Sequence, residues 1–109
     1  MAGIGVGDKA DMTFDVAEVG DRTVKVTLGG ELDITNIETV ASAVAPALEH
    51  EPEHLIIDVR DLRFADSSAI ALWVKWATSV RDIELREASP LLRRVVDSMG
   101  LSQTLRVTS

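Results

Sequence analysis

Hydrophobic and polar positions alternate twice near the start of the chain. Met12, Phe14 and Val16 are separated by polar residues, and Val24, Val26 and Leu28 repeat the pattern, the period-two signature of half-buried strands. Between them Gly20-Asp21 can supply turn geometry. The two segments are predicted to form an antiparallel hairpin, stopped by Gly29-Gly30. The period then changes. Ile37, Val40, Ala41, Val44 and Leu48 recur at helical spacing, and Thr35-Asn-Ile-Glu38 fits a capping box with Thr35 at the N-cap. This helix is predicted to run to about His50. Pro46 lies inside it and leaves the Ser42 carbonyl without its N–H partner, so a kink or an early end is expected.

His54-Leu-Ile-Ile-Asp-Val59 is a continuous aliphatic run, which suits a central strand covered on both faces. Asp66-Ser67-Ser68 precedes a helix predicted over Ala69–Val80, and Ile83–Arg86 is a short strand after a tight Arg81-Asp82 connection. Ser89-Pro90 opens another helix, with Ser89 at the N-cap and Pro90 at N1. Its stripe is Leu91, Leu92, Val95, Val96 and Met99, and Gly100 supplies the C-terminal cap. Leu105-Arg-Val107 adds a last short strand. The order β-β-α-β-α-β-α, with a final β, predicts an α/β sheet with helices packed against it.

Composition narrows the function. At 109 residues the chain makes one domain. Met1–Asp11, with its glycines and no periodicity, reads as a flexible N-terminal tail, leaving 12–109 as the domain. There is no cysteine, so disulfides, thiolate metal sites and cysteine nucleophiles are excluded, and with only His50 and His54 a histidine-rich metal cluster is out of reach. A net charge of −7 opposes nucleic-acid binding. The charge is uneven: residues 1–58 hold 12 acidic and 3 basic residues, and residues 59–109 hold 6 and 8. No apolar run approaches the roughly 20 residues of a membrane span. The expectation is a soluble, cytoplasmic protein without direct membrane contact.

Three motifs stand together: Leu28-Gly-Gly-Glu-Leu-Asp33, then Leu55–Ser68 ending in Phe-Ala-Asp-Ser-Ser, then Ala88-Ser-Pro-Leu-Leu-Arg-Arg-Val-Val-Asp-Ser-Met-Gly-Leu101. Together they resemble the STAS domain, most closely the bacterial anti-sigma factor antagonists, over about Met12 to Val107. The resemblance implies an α/β single domain: a small mixed β-sheet with an N-terminal hairpin and about three helices mainly on one face. It implies a protein that acts by binding and is not an enzyme, with no cofactor, metal or small-molecule substrate. Its partner would be a cytoplasmic anti-sigma factor that is also a Ser/Thr kinase, with a phosphatase reversing the modification. It places the phosphorylation site at Ser67, with Asp33, Asp66, Ser68 and Ala69 as neighbours. The family usually has Gly where this chain has Ala69, and a methyl there is expected to narrow a partner's approach. Pro46 and the short Arg81-Asp82 link are further departures.

Physical chemistry alone offers plainer roles. Ser67 or Ser68 can serve simply as a helix N-cap, and Asp33 can cap the first helix or close a turn. A phosphate on Ser67 is expected to find backbone N–H groups and the positive helix end, and its charge of about −1.5 to −2 to oppose docking of an acidic partner. On the 69–80 helix, Ala69, Ile70, Trp73, Ala77 and Val80 centre the apolar stripe, with Leu72 and Trp76 at one edge. These two are expected to be partly exposed as a partner contact, unless neighbouring helices cover them. Two other functions compete: a STAS subunit of a lipid-transport ATPase complex or another assembly held by permanent contact, and a small hydrolase, which needs His50 or His54 beside Ser67.

Overall fold

The computed structural model describes residues 2–9 and 12–108. Its elements are β1 (Ala2–Lys9), β2 (Met12–Gly20), β3 (Thr23–Leu32), α1 (Ile37–Leu48), β4 (His54–Ala65), α2 (Ser67–Ala77), β5 (Asp82–Arg86), α3 (Pro90–Ser98) and β6 (Arg106–Val107). They form a mixed α/β domain whose six strands lie side by side in chain order. β1, β2 and β3 pair antiparallel, and β3 to β6 pair parallel. Each parallel step moves the same way along the sheet, and right-handed crossovers of that kind put their helices on one face. A single apolar core joins that face to the helices, through Val24, Val26, Leu28, Leu55, Ile57 and Leu85 from the strands and Val44, Trp73 and Val96 from the helices.

The predicted hairpin is present. Phe14 faces Leu28 and Val16 faces Val26, and the turn is Asp21-Arg22, with Arg22 at φ 54°, one residue later than the glycine suggests. Gly29-Gly30 does not stop β3, which continues to Leu32. A Cβ on Gly29 would lie 2.7 Å from Thr13 Oγ1, so this glycine serves the close approach of β2. Before the hairpin, Ala2–Lys9 pairs with β2 as an edge strand, where the aperiodic sequence carries no strand signal; backbone pairing alone needs none. Residues 1, 10 and 11 of the expected tail lie outside the described residues.

β4 is central, between β3 and β5, but it is not covered on both faces. Leu55, Ile57 and Val59 enter the core, while Ile56 is half-buried outside it. Ile56 lies opposite Lys25 and Glu84, on a sheet face that charged pairs occupy instead of helices. Lys25 Nζ is 3.5 Å from Asp58 Oδ2, Arg86 Nε donates to Glu84 at 2.8 Å, and Arg106 reaches Asp82 at 2.7 Å. The continuous apolar run therefore misleads about the second face.

Two helix starts also differ from expectation. Asn36, not Thr35, is the N-cap of α1. The Thr35 hydroxyl donates instead to Asp33 Oδ1 at 2.5 Å, so the capping box does not form. Pro46 sits in the last turn, two residues before the helix ends at Leu48, where one missing bond costs the helix little length. α2 begins at Ser67, two residues earlier than predicted, and ends at Ala77. Because β3 and β4 run parallel, the β3–α1 loop and the β4–α2 junction emerge at the same end of the sheet. The three motifs converge on that end.

Candidate functional site

Asp66 organises the end of the sheet. Its backbone N–H donates to Leu32 O at 3.2 Å, which fastens the end of β4 to the end of β3. Extended backbone at φ −92°, ψ −174° makes it the N-cap of α2. Its Oδ1 accepts from the N–H groups of Ser68 at 2.9 Å and Ala69 at 3.4 Å, and from the Ser68 hydroxyl. Its Oδ2 accepts from Ile34 N at 3.2 Å, across the gap to the β3–α1 loop. Burial pushes the Asp66 carboxyl up, but the Ser68 hydroxyl and the N–H groups of Ile34, Ser68 and Ala69 outweigh it and hold the group below its ordinary value.

Asp33 shapes the facing loop. Its Oδ1 accepts from Thr35 N at 2.9 Å as well as from the Thr35 hydroxyl, and its carbonyl accepts from Asn36 N and Ile37 N. Asn36 is 8% exposed; its Oδ1 accepts from Asp33 N at 3.0 Å and its Nδ2 donates to Glu31 O at 2.8 Å. Asp33 therefore closes a turn, as its plainer role holds, and it meets the serine junction through its neighbour Ile34.

The two serines differ. Ser68 is half-buried and its hydroxyl is committed to Asp66. Ser67 is exposed at the first position of α2, and its hydroxyl has no hydrogen-bond partner among the described residues. Neither serine is the N-cap, because Asp66 takes that role. The same geometry alters the expected phosphate site. The N–H groups of Ser68 and Ala69 already bond Asp66, so a phosphate on Ser67 meets a carboxylate at those donors and is left facing solvent. Ala69 is 0% exposed. Its methyl points into the core, so it does not narrow a partner's approach as the sequence suggests.

Leu72 is partly exposed, as expected, but Trp76 is not. Trp76 is only 4% exposed, and with half-buried Leu72 it borders a cleft shared with Ala41, Ala45 and Leu48 of α1. The neighbouring helix covers the over-wide stripe, which removes the case for an exposed tryptophan beside the serine. Large apolar side chains are exposed elsewhere at this end: Ile34 at 73% and Phe64 at 52%. Sequence reasoning passed over both; the signal available was a large apolar residue beside polar ones, Ile34 just after Asp33 and Phe64 just after Arg63.

Both histidines lie at the opposite end of the sheet. His54 opens β4, and its Nδ1 is 3.3 Å from Asp82 Oδ2; His50 lines a cleft with Gly20, Arg22 and Pro52. The 12 residues of β4 separate His54 from the serine junction, a span far beyond hydrogen-bond reach. The Ser67–His pair required for a hydrolase is not assembled. Among the described residues no His, Asp and Glu group is arranged to hold a metal ion, and no helix is long and apolar enough to cross a membrane.

A protein-family model described as "Mlab, STAS domain" matches residues 16–107. The chain belongs to the STAS domain family. Its fold is similar to that of the anti-sigma factor antagonist SpoIIAA in its unphosphorylated form, at 25% identity and a TM-score of 0.75, over 88% of each chain. It is similar to the phosphorylated form of the Bacillus cell fate determinant SpoIIAA, at 25% identity and a TM-score of 0.70, over 88% of this chain and 91% of that one. An anti-sigma factor antagonist from Mycobacterium paratuberculosis shares the fold, at 21% identity and a TM-score of 0.79, over 91% of this chain and 87% of that one. Among curated proteins none matches the STAS chain significantly.

Proposed function

We propose that this STAS domain is an anti-sigma factor antagonist: it binds an anti-sigma factor that is also a Ser/Thr kinase, and phosphorylation of Ser67 ends the binding. The observation that carries the reading is the contrast between the serines. Ser67 presents an exposed, uncommitted hydroxyl at the start of α2, and Ser68 spends its own on Asp66. A phosphate on Ser67 adds about −1.5 to −2 charges beside Asp66, whose carboxyl is held ionised and occupies the nearby N–H donors. The new charge faces outward, where a docked partner must desolvate it. The likeness to SpoIIAA, known in unphosphorylated and phosphorylated forms, supports the same role. The protein acts by contact in the cytoplasm, and a phosphatase resets it.

The test uses an anti-sigma factor kinase from the same organism, with ATP, intact-mass analysis and calorimetry. One phosphate on Ser67, its absence in Ser67→Ala, and an affinity lowered about tenfold or more by modification are expected. Equal affinity of modified and unmodified protein ends the reading; phosphate on Ser68 alone moves the switch to that residue.

A second reading, permanent contact within a lipid-transport ATPase complex or another assembly, is favoured by the exposed Ile34 and Phe64, since large apolar groups at a surface suit lasting contacts. Affinity purification separates the two: a recovered kinase supports the switch and a transporter ATPase supports the subunit.

A further inference from the structure

α3 spends little of its apolar stripe on the core. Of Leu91, Leu92, Val95, Val96 and Met99, Val96 alone is buried. Leu92 and Val95 are half-buried, Leu91 is 67% exposed and Met99 50%. The rest of the stripe is turned toward the outer half of β4, where β5 no longer runs alongside. Between them lies a groove of about 140 Å³, with Leu62 and Phe64 on one wall and Leu91, Leu92 and Val95 on the other. Phe64 is 52% exposed. The charges bordering these walls cancel. Arg63 lies 3.9 Å from Glu31 and Arg60 3.7 Å from Glu87, and exposed Asp61 and Arg94 have opposite signs.

We propose that this groove is the contact between two copies of the chain related by a twofold axis, with Leu91 of each copy entering the groove of the other beside Phe64. The charge balance selects the occupant. Each copy carries a net charge of −7, so acidic surfaces repel when two copies meet. A patch whose charges are already paired meets its own image without that cost. Shape agrees. A twofold contact requires one patch to be its own complement. This one offers a projecting leucine and, next to it, apolar room for about one benzene-sized group. The contact also gives α3 the second partner that its stripe lacks within the chain. It uses side-chain packing, with no added strand. It goes beyond the serine switch and does not depend on it.

The test is sedimentation of the full chain from about 10 µM to about 1 mM, paired with ¹⁵N NMR over the same range. The weight-average mass is expected to rise from 11.8 kDa toward twice that value, with shifts moving at Phe64 and Leu91–Val95. Leu91→Asp is expected to weaken association about tenfold or more, and Leu91→Met to retain it. Leu91 is exposed in the first turn of α3, where a carboxylate is tolerated. An unchanged unfolding midpoint in dilute solution then shows that the fold is intact. Added salt is expected to strengthen association by screening the net charge. A single-chain mass at the highest concentration, association unaffected by Leu91→Asp, weakening in salt, or shifts confined to another surface would overturn the proposal. So would groove shifts that appear only when the anti-sigma factor kinase is added, which would make the groove a site for a different protein.

Discussion

The Asp66 carboxylate draws its donors from both loops at the end of the sheet, Ile34 on one side and Ser68 and Ala69 on the other. Asp66→Ala is therefore expected to cost about 1–2 kcal/mol, as loss of an N-cap does, whereas Ser67→Ala should stay within about 0.5 kcal/mol because its hydroxyl holds nothing. Chemical denaturation of both variants checks this pair. The pH dependence has a definite sign. The folded-state pKa of Asp66 is lowered, so the unfolded chain takes up the proton first. The stability it supplies is present above the ordinary carboxylate pKa and is lost as pH falls through the lower folded value. The stability gap between wild type and Asp66→Asn should thus be full at pH 6 and shrink steadily below about pH 4; a gap constant to pH 2 would contradict the assignment. Trp73 makes the opposite case. It is fully buried, and its indole N–H finds no partner. Trp73→Phe removes an orphan donor along with some volume and should cost much less than the roughly 3–5 kcal/mol expected of Trp73→Ala. At this scale the sequence located the serine junction through its motif. It did not separate the duties of Asp66, Ser67 and Ser68, because which side chain caps a helix depends on backbone angles at one residue.

Each strand and helix of the core shows how far patterning reaches. The hairpin, β4, α2, β5, α3 and β6 were all legible, since periodicity and the turn and cap residues record them locally. The second face of β4 was not, because a run of aliphatic residues looks alike whether helices or solvated ion pairs lie over it. The structure separates Ile57, buried in the core, from Ile56, half-buried among charged pairs. Ile57→Ala should cost about 2–5 kcal/mol and Ile56→Ala less than half as much; equal costs, measured by urea unfolding, would mean that something covers the open face. The sequence leaves Trp76 open between exposure and cover for a related reason. Its exposure depended on α1 (Ile37–Leu48), and a stripe on one helix carries no record of the neighbour that widens it. Trp76→Ala should therefore behave as a core truncation, costing about 3–5 kcal/mol, with no loss of partner affinity beyond that caused by unfolding.

For the whole molecule, stability is unevenly spread. β3 pairs with β4 along nearly its whole length and β5 pairs with the His54–Asp58 half of β4 over the shared core, and α1 and α2 pack against them with Val40, Val44, Trp73 and Trp76 buried. The segment from α3 to β6 is tied down far less. Val96 is the buried residue of α3, while Leu91 and Met99 are at least half exposed. A helix of nine residues does not persist in water without packing. β6 pairs with β5 at just two positions, Glu84↔Arg106 and Leu85↔Val107, helped by Leu105 in the core and by Arg106 on Asp82. Segments with few buried apolar groups open below the global unfolding free energy. Hydrogen exchange should accordingly be faster in Pro90–Ser98 and Arg106–Val107 than in β3, β4 and β5. Val96→Ala tests the cause: it removes the one fully buried anchor of α3 and should raise exchange in α3 and β6 by about tenfold or more, leaving the central strands protected. The Ser67 end is expected to keep its protection too, because Asp66 fastens it to Leu32 and Ile34 rather than to α3. If exchange instead rose equally throughout, the domain would open as one unit and α3 would be integral to the core.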